Sequence, residues 1–350
     1  MFNIWFNLFV FPGMVFFIVL AAIFEHVNGR LMARFSFQAK EQAMFIPLVS
    51  NFKFLVAKEQ EKHSFSFRII VQITLLIVLL ALPIFGAFFL PINILGELPA
   101  KSGGYGKYLK ISEGVIGIFS FEGDVLLVFG VILLFGFVAL LLQLLSPQKL
   151  RKNAFKSYIQ FAIWDIPLFL ALSGFLIARK SLSLSLLAHD IRLIVDTNKL
   201  FGFLILLPMS TFIAIFSLSS KFDQPYFDRL GTQKDLLINP PLPFNWQLFL
   251  WNTAMRLQET LLAGLIVTLC LGGPHLPIPE PTNDYFALIA YSGNFVVKTM
   301  LVGVLITLLR AIRPRMRFDQ TLNYVLKIST PFSLVSLMLI GLYVSIWPLA

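Results

Sequence analysis

Charged side chains are scarce in this sequence. They make up 13% of its 350 residues, against about 25% in an ordinary soluble domain. Hydrophobic residues reach 57%, and the mean hydropathy is +0.82. A surface built from so few charges cannot keep a chain of this length in water, so a polytopic membrane protein is expected. Cysteine is rarer still. The single Cys270 excludes a disulfide framework and a cysteine-built zinc or iron–sulfur site. His26, His63, His189 and His275 are scattered, and no two share a helix at ligand spacing. A haem held by two of them is the one metallocentre left open. Acidic residues number 18 against 28 basic, a net charge of +10. In a membrane chain that excess reports topology, and nucleic acid is not an expected partner. No basic segment precedes the first apolar run, which argues against a cleaved signal peptide. No internal repeat is visible, which counts against an inverted-repeat transporter.

What is present is a series of apolar runs of span length. Eight are read, at about 2–24, 69–90, 125–145, 155–178, 200–218, 246–271, 285–309 and 326–346. Each is near the roughly 20 residues that a bilayer crossing needs. The expected architecture is an all-α polytopic membrane protein, with residues 1–350 forming a single integral membrane domain. Basic residues collect in the odd-numbered loops, 25–68, 146–155, 219–245 and 310–325, and are fewer in the even ones. By the positive-inside rule the odd loops are cytoplasmic and both termini lie outside. Within the first loop, residues 38–58 mix Phe45, Leu48, Phe52 and Leu55 with Lys and Glu. That pattern suits a short amphipathic helix on the cytoplasmic surface. Residues 102–123 are glycine-rich with β-prone pieces, and a small outer hairpin is expected there. The fifth loop carries Asp223, Asp228 and the Asn239-Pro240-Pro241 run. It is long for a bundle connection and reads as a packed functional loop.

Four charged residues fall near the middle of these runs: Asp165, Arg256, Glu259 and Lys298. An ionisable group at mid-bilayer costs about 2.5–3.5 kcal/mol on insertion scales, so each needs a partner or a task. Asp165 and Arg256 lie roughly 15 Å from the cytoplasmic ends of the fourth and sixth spans, by the helical rise. Glu259 shares a helical face with Arg256, and Lys298 lies about midway down the seventh span. All four are expected in one central slab, with Asn252 and Gln258 nearby. Three readings stand: a structural ion-pair network, a buried hydrated path for protons or ions, and a substrate cavity. Asp165 and Lys298 would supply the substrate site if the chain were a stand-alone secondary transporter.

The end of the seventh span carries the most specific pattern. It runs Lys298-Thr299, then Arg310, Pro314-Arg315, Arg317, Asp319-Gln320, and finally Lys327 and Pro331. This resembles the C-terminal signature of the quinone-proximal membrane subunit of complex I. That family comprises the H-type subunits of bacterial NADH-quinone oxidoreductases and subunit 1 of the mitochondrial complex. Members read Lys-Thr, then Arg-x-x-x-Pro-Arg-x-Arg-x-Asp-Gln, then Lys with a Pro four residues on. Other stretches are similar to the family: Glu25, Gly29, Arg30, Arg34, Pro47-Leu48, Lys53 and Lys58-Glu59 in the first loop, and Lys156, Gln160 and Asp165 in the fourth span. Phe222-Asp223-Gln224-Pro225 with Asp228 resembles the family's fifth loop, and Thr268 to Gly273 its sixth span. The resemblance covers nearly the whole chain.

The chain also departs from the pattern, as a divergent member would. The Gly-Pro pairs of the first loop are absent. The first glutamate of the fifth loop falls on Tyr226, and the Ala-Glu-Tyr of the sixth span falls on Ala254-Met255-Arg256; a shifted alignment lets Glu259 substitute. The resemblance implies a subunit with no metal or redox cofactor of its own. It would form the quinone chamber with the peripheral iron–sulfur arm and couple quinone reduction to proton translocation, most naturally in a bacterial inner membrane. Quinone, lipid and the other subunits of the complex are then its partners. It implies a cytoplasmic mouth at Glu25, Arg30, Arg34, Arg310, Arg313, Arg315, Arg317 and Asp319. The coupling path would run through Asp223, Asp228, Asp165, Arg256, Glu259 and Lys298, because a buried carboxylate changes its charge when a neighbouring charge changes. The equivalent subunit of a membrane-bound hydrogenase or ferredoxin-dependent complex is the alternative within the superfamily.

Overall fold

The computed structural model describes residues 13–35, 67–92, 123–145, 148–179, 181–185, 187–188, 200–222, 245–274, 284–313 and 318–346. Among these, regular structure is helical and no strand occurs. In chain order the helices are α1 Met14–Phe35, α2 Phe67–Ala87, α3 Asp124–Leu144, α4 Gln148–Ala162, α5 Asp165–Arg179, α6 Leu200–Phe222, α7 Asn245–Cys270, α8 Asp284–Ile312, α9 Phe318–Tyr324 and α10 Thr330–Ile346. Seven stretches of the described residues are long and apolar enough to cross a membrane. The remaining apolar run of the sequence coincides with α6. The amphipathic segment 38–58 and all but the last residue of the outer hairpin 102–123 lie outside the described residues.

Burial ranks the spans. The α7 span is 89% buried within the chain, whereas those of α1 and of the α9–α10 stretch are each 28% buried. With α1, α2, α5, α6 and α8 packed against it, α7 is the axis of the bundle, and the outer helices turn Val15, Ile77, Ile289 and Met338 outward. Apolar surface on that scale suits lipid rather than water. Where helices cross α1, α2 or α7, small residues let them close. A Cβ on Gly264 would lie 2.9 Å from Leu90 Cδ1, and one on Gly303 only 2.6 Å from Phe24 Cε2. In a bilayer, where burial gives little drive, such close packing is what holds helices together.

Two helices deviate from the expected continuous spans, and proline explains both. The fourth span divides into α4 and α5, with Ile163 and Trp164 between them. Pro167 has no N–H to offer the Ile163 carbonyl. Instead the Ile166 N–H reaches it at 3.4 Å, a tighter turn. Asp165 therefore heads a new helix rather than lying within one. In the last span, Pro331 likewise offers no donor to Lys327, and Val325–Ser329 forms a π-turn in which the Thr330 N–H bonds to the Val325 carbonyl. Helices also reach past the expected loop bounds. α4 begins at Gln148, α6 runs to Phe222 and α8 to Ile312.

Gly303→Val tests the packing. Phe24 is 1% exposed and its ring cannot swing aside, so the variant should lose about 1–3 kcal/mol, read as a lowered unfolding midpoint in detergent. An unchanged midpoint would show that α1 and α8 do not meet this closely.

Candidate charge network in the membrane

Four charged side chains from three helices form one row. Glu25 Oε1 of α1 lies 3.6 Å from Arg256 Nε of α7, and Arg256 Nη1 lies 3.1 Å from Glu259 Oε2. Glu259 Oε1 in turn lies 2.7 Å from Arg310 Nη2 of α8. Two carboxylates and two guanidiniums leave the row formally neutral. Neutrality matters here, because an uncompensated charge removed from water costs several kcal/mol. The Glu259 side chain is 1% exposed and that of Arg310 11%, while Arg256 is 45% exposed. Arg256 is thus the exposed member of the row, in a span 89% buried as a whole.

The row continues into α6. Arg310 Nε donates to the Ser219 carbonyl at 3.3 Å. Two residues on, Lys221 Nζ lies 2.5 Å from Asp165 Oδ1 and 4.2 Å from the Phe161 ring centroid. Lys221 is 0% exposed and Asp165 is 4% exposed. An acid at the head of a helix is favoured by the partial positive charge there, so the break in the fourth span and the lysine act on the same carboxylate. Next to this pair, the Arg313 guanidinium stands 5.8 Å over Trp164 and 5.6 Å over Phe216. Tyr324 packs against both rings.

Lys298 departs from the single-slab expectation. Its Nζ donates to the Leu271 and Gly273 carbonyls at 2.8 and 3.0 Å. Those carbonyls lie where α7 ends, in a reversal through Gly272 and Gly273 with φ of 72° and 57°. The carbonyls at a helix C-terminus lack intrahelical donors and carry partial negative charge, and an ammonium group answers both needs. Twelve residues separate Lys298 from Arg310 on α8, roughly 18 Å along the axis. The structure thus joins Arg256 and Glu259 to Glu25 and Arg310, pairs Asp165 with Lys221, and puts the Lys298 ammonium at the C-terminal end of α7.

The other expected residues scatter. Arg30 and Arg34 are exposed on the last turns of α1, and Asp319 is exposed on α9. Asp223, Asp228, Arg315 and Arg317 lie outside the described residues. Among the described residues no three His, Cys, Asp or Glu side chains gather as a metal-holding group. Sequence reasoning missed Lys221, which it counted with the topological basic residues. The signal was its place, one residue before the Phe-Asp of the fifth loop and on helical register with the span. It also missed Asp124, fully buried at the head of α3, whose Oδ1 accepts the Leu184 N–H at 2.7 Å.

Helices closed by small residues around a charged interior define an all-α polytopic membrane protein that keeps ion pairs inside its bundle. Comparison places it more narrowly. The chain belongs to the NADH dehydrogenase family, whose family model matches residues 4–341. It is 25% identical over 199 residues to the H-type subunit of the Dehalococcoides mccartyi NADH-quinone oxidoreductase, covering 56% of this chain and 51% of that one. It is 29% identical over 189 residues to an H-type subunit of the Rhodopseudomonas palustris NADH-quinone oxidoreductase, covering 53% of each. It is also 26% identical over 195 residues to the H-type subunit of the Methanosarcina acetivorans F(420)H(2) dehydrogenase, covering 55% and 54%. The matched region spans about half the length of each of these relatives. The resemblance read from the C-terminal run is thus borne out.

The row sets different values on its two arginines. Arg310→Leu should lose about 3 kcal/mol, because it leaves one oxygen of a buried carboxylate without its cation. Arg256→Leu should lose less, since nearly half of that side chain is already exposed and Glu259 keeps the more deeply buried and closer Arg310. Denaturant unfolding of both purified variants measures the difference, and equal losses would contradict this geometry.

Proposed function

We propose that this chain is the membrane subunit of an NADH-quinone oxidoreductase, where it forms the quinone chamber with iron–sulfur partner subunits and couples quinone reduction to proton translocation. The family match supports the class of complex. The observation that carries the mechanism is the neutral row from Glu25 to Arg310, with half-exposed Arg256 and buried Glu259 as its inner members. Reducing a quinone places two electrons on it and takes up two protons. Negative charge developing near Arg256 would draw it away from Glu25 and Glu259, and the carboxylate that loses its partner would take up a proton. In this reading the row passes a change of charge inward, and Asp165, Asp223 and Asp228 extend the path.

The same reading makes α6 the eighth span and gives the chain a surface helix at 38–58. It sets both termini on the outer side of a bacterial inner membrane, with Arg30, Arg34, Arg310, Arg313, Arg315, Arg317 and Asp319 toward the cytoplasmic mouth. This chain itself would hold no redox centre. Lys298 would serve the path through α7, by fixing where that helix ends. A second reading keeps the subunit's role and changes the electron donor. It is favoured by the likeness to a chain named as part of an F(420)H(2) dehydrogenase.

Purification from the native membrane is the first test. The chain should co-purify with iron–sulfur subunits, and isolation as a lone protein would end the reading in favour of a transporter. Within the isolated complex, Glu259→Gln should lower quinone reduction by on the order of a hundredfold while the subunits stay assembled. Full turnover in that variant would make the row structural only. Oxidation of NADH against other donors by the same preparation decides between the two complexes.

A further inference from the structure

We propose that Lys221 is a positioning residue for the Asp165 carboxylate, and that the last turn of α6 ties this carboxylate to the Glu259–Arg310 pair. Among the described residues, this turn is where the two groups of charges meet. Arg310 bonds to Ser219 from one side, and Asp165 pairs with Lys221 from the other. Ser219, Ser220 and Lys221 are each 0% exposed, so neither contact can be exchanged for water without moving the helix end. The turn is also locally tightened. The Ser219 and Ser220 hydroxyls both donate to the Phe216 carbonyl, at 2.8 and 2.7 Å, a back-bonding that bends helices. Aromatic rings close the remaining sides, with Phe222 edge-on to Phe161 at 5.8 Å and Phe216 against Trp164 at 6.1 Å.

The consequence is mechanical and electrostatic together. If Glu259 loses its charge, Arg310 is no longer held to it, and the guanidinium that fixes Ser219 is released. Two residues along the same turn, Lys221 then shifts against Asp165. Among the described residues, the other ionisable groups seen at the break are Arg313, over the Trp164 and Phe216 rings, and Tyr324, tilted against Trp164 at 6.2 Å. Neither replaces a salt bridge of 2.5 Å. A lysine that only glued helices would be dispensable together with its partner, because a buried ion pair exchanged for apolar or neutral groups of like shape is often neutral or stabilising. A positioning lysine would not.

The test uses the intact complex and four sets of substitutions, read by infrared difference spectroscopy, unfolding midpoint and proton translocation per turnover. Lys221→Met leaves a buried carboxylate without its cation. It should gain a protonated-carboxyl band, which disappears when Asp165→Asn is added. Lys221→Arg should restore the carboxylate and most of the translocation. The Lys221→Met, Asp165→Asn double variant should unfold at the parent's midpoint yet translocate on the order of tenfold less. Glu259→Gln should shift the carboxylate band assigned to Asp165. No protonated band in Lys221→Met, or parental translocation in the double variant, would overturn the role of Lys221. An unmoved Asp165 band in Glu259→Gln would overturn the link through the turn. The translocation arm rests on the functional reading above and the infrared arm does not. A complex without quinone reductase activity would therefore sink that reading while the spectra still decide the fate of the lysine.

Discussion

The Glu259 carboxylate has 1% of its side chain exposed and a guanidinium on each oxygen. Much of the bundle is arranged around that requirement. A charge taken this far from water has to be compensated inside the protein, and no single helix supplies enough. α7 offers Arg256 one turn away, which is already shared with Glu25 of α1. α8 must therefore bring Arg310 to the other oxygen, and Gly303 lets α8 approach α1 closely enough to do so. The demand for charge balance and the demand for close packing are met by the same three helices.

A neutral row is stable at rest, and it is also responsive. Its two inner members, Arg256 and Glu259, each lie between two opposite charges, so a change at one end leaves the next group unbalanced. That property separates the row from an ordinary helix-to-helix ion pair. It accounts for why a half-exposed arginine would be tolerated at the edge of an otherwise buried span. The broken fourth span adds a second acid on the same principle. Its proline places a carboxylate at a helix head, where partial positive charge favours it, and α6 supplies the lysine.

Much of the fold could be read in advance because the bilayer constrains it so strongly. Apolar length identifies a candidate span whatever its neighbours are, and among the described residues seven of the runs hold helical stretches of crossing length. The run from Lys298 to Pro331 likewise identified the family without any knowledge of contacts. The breaks were less legible, although each had a proline in view. Pro167 and Pro331 lie inside apolar runs, and hydropathy averages over the backbone hydrogen bond that each removes. Charge does not by itself end a helix. Here Lys221 and Arg310 continue their helices, with their charges paired inside the bundle.

By itself the sequence determined that this chain is a helical membrane protein, where its apolar runs of span length lie and which family it belongs to. All three follow from residue type and spacing along one dimension. Which charge meets which was decided only by the tertiary structure. Asp165 and Lys221 are 56 positions apart, and Glu259 and Arg310 are on different helices. Their meeting depends on how each helix is rotated and where it breaks. Lys298 illustrates the difference best. Along the chain it lies near mid-span like the others, yet its ammonium reaches the carbonyls where α7 ends. No spacing rule reports where a neighbouring helix stops.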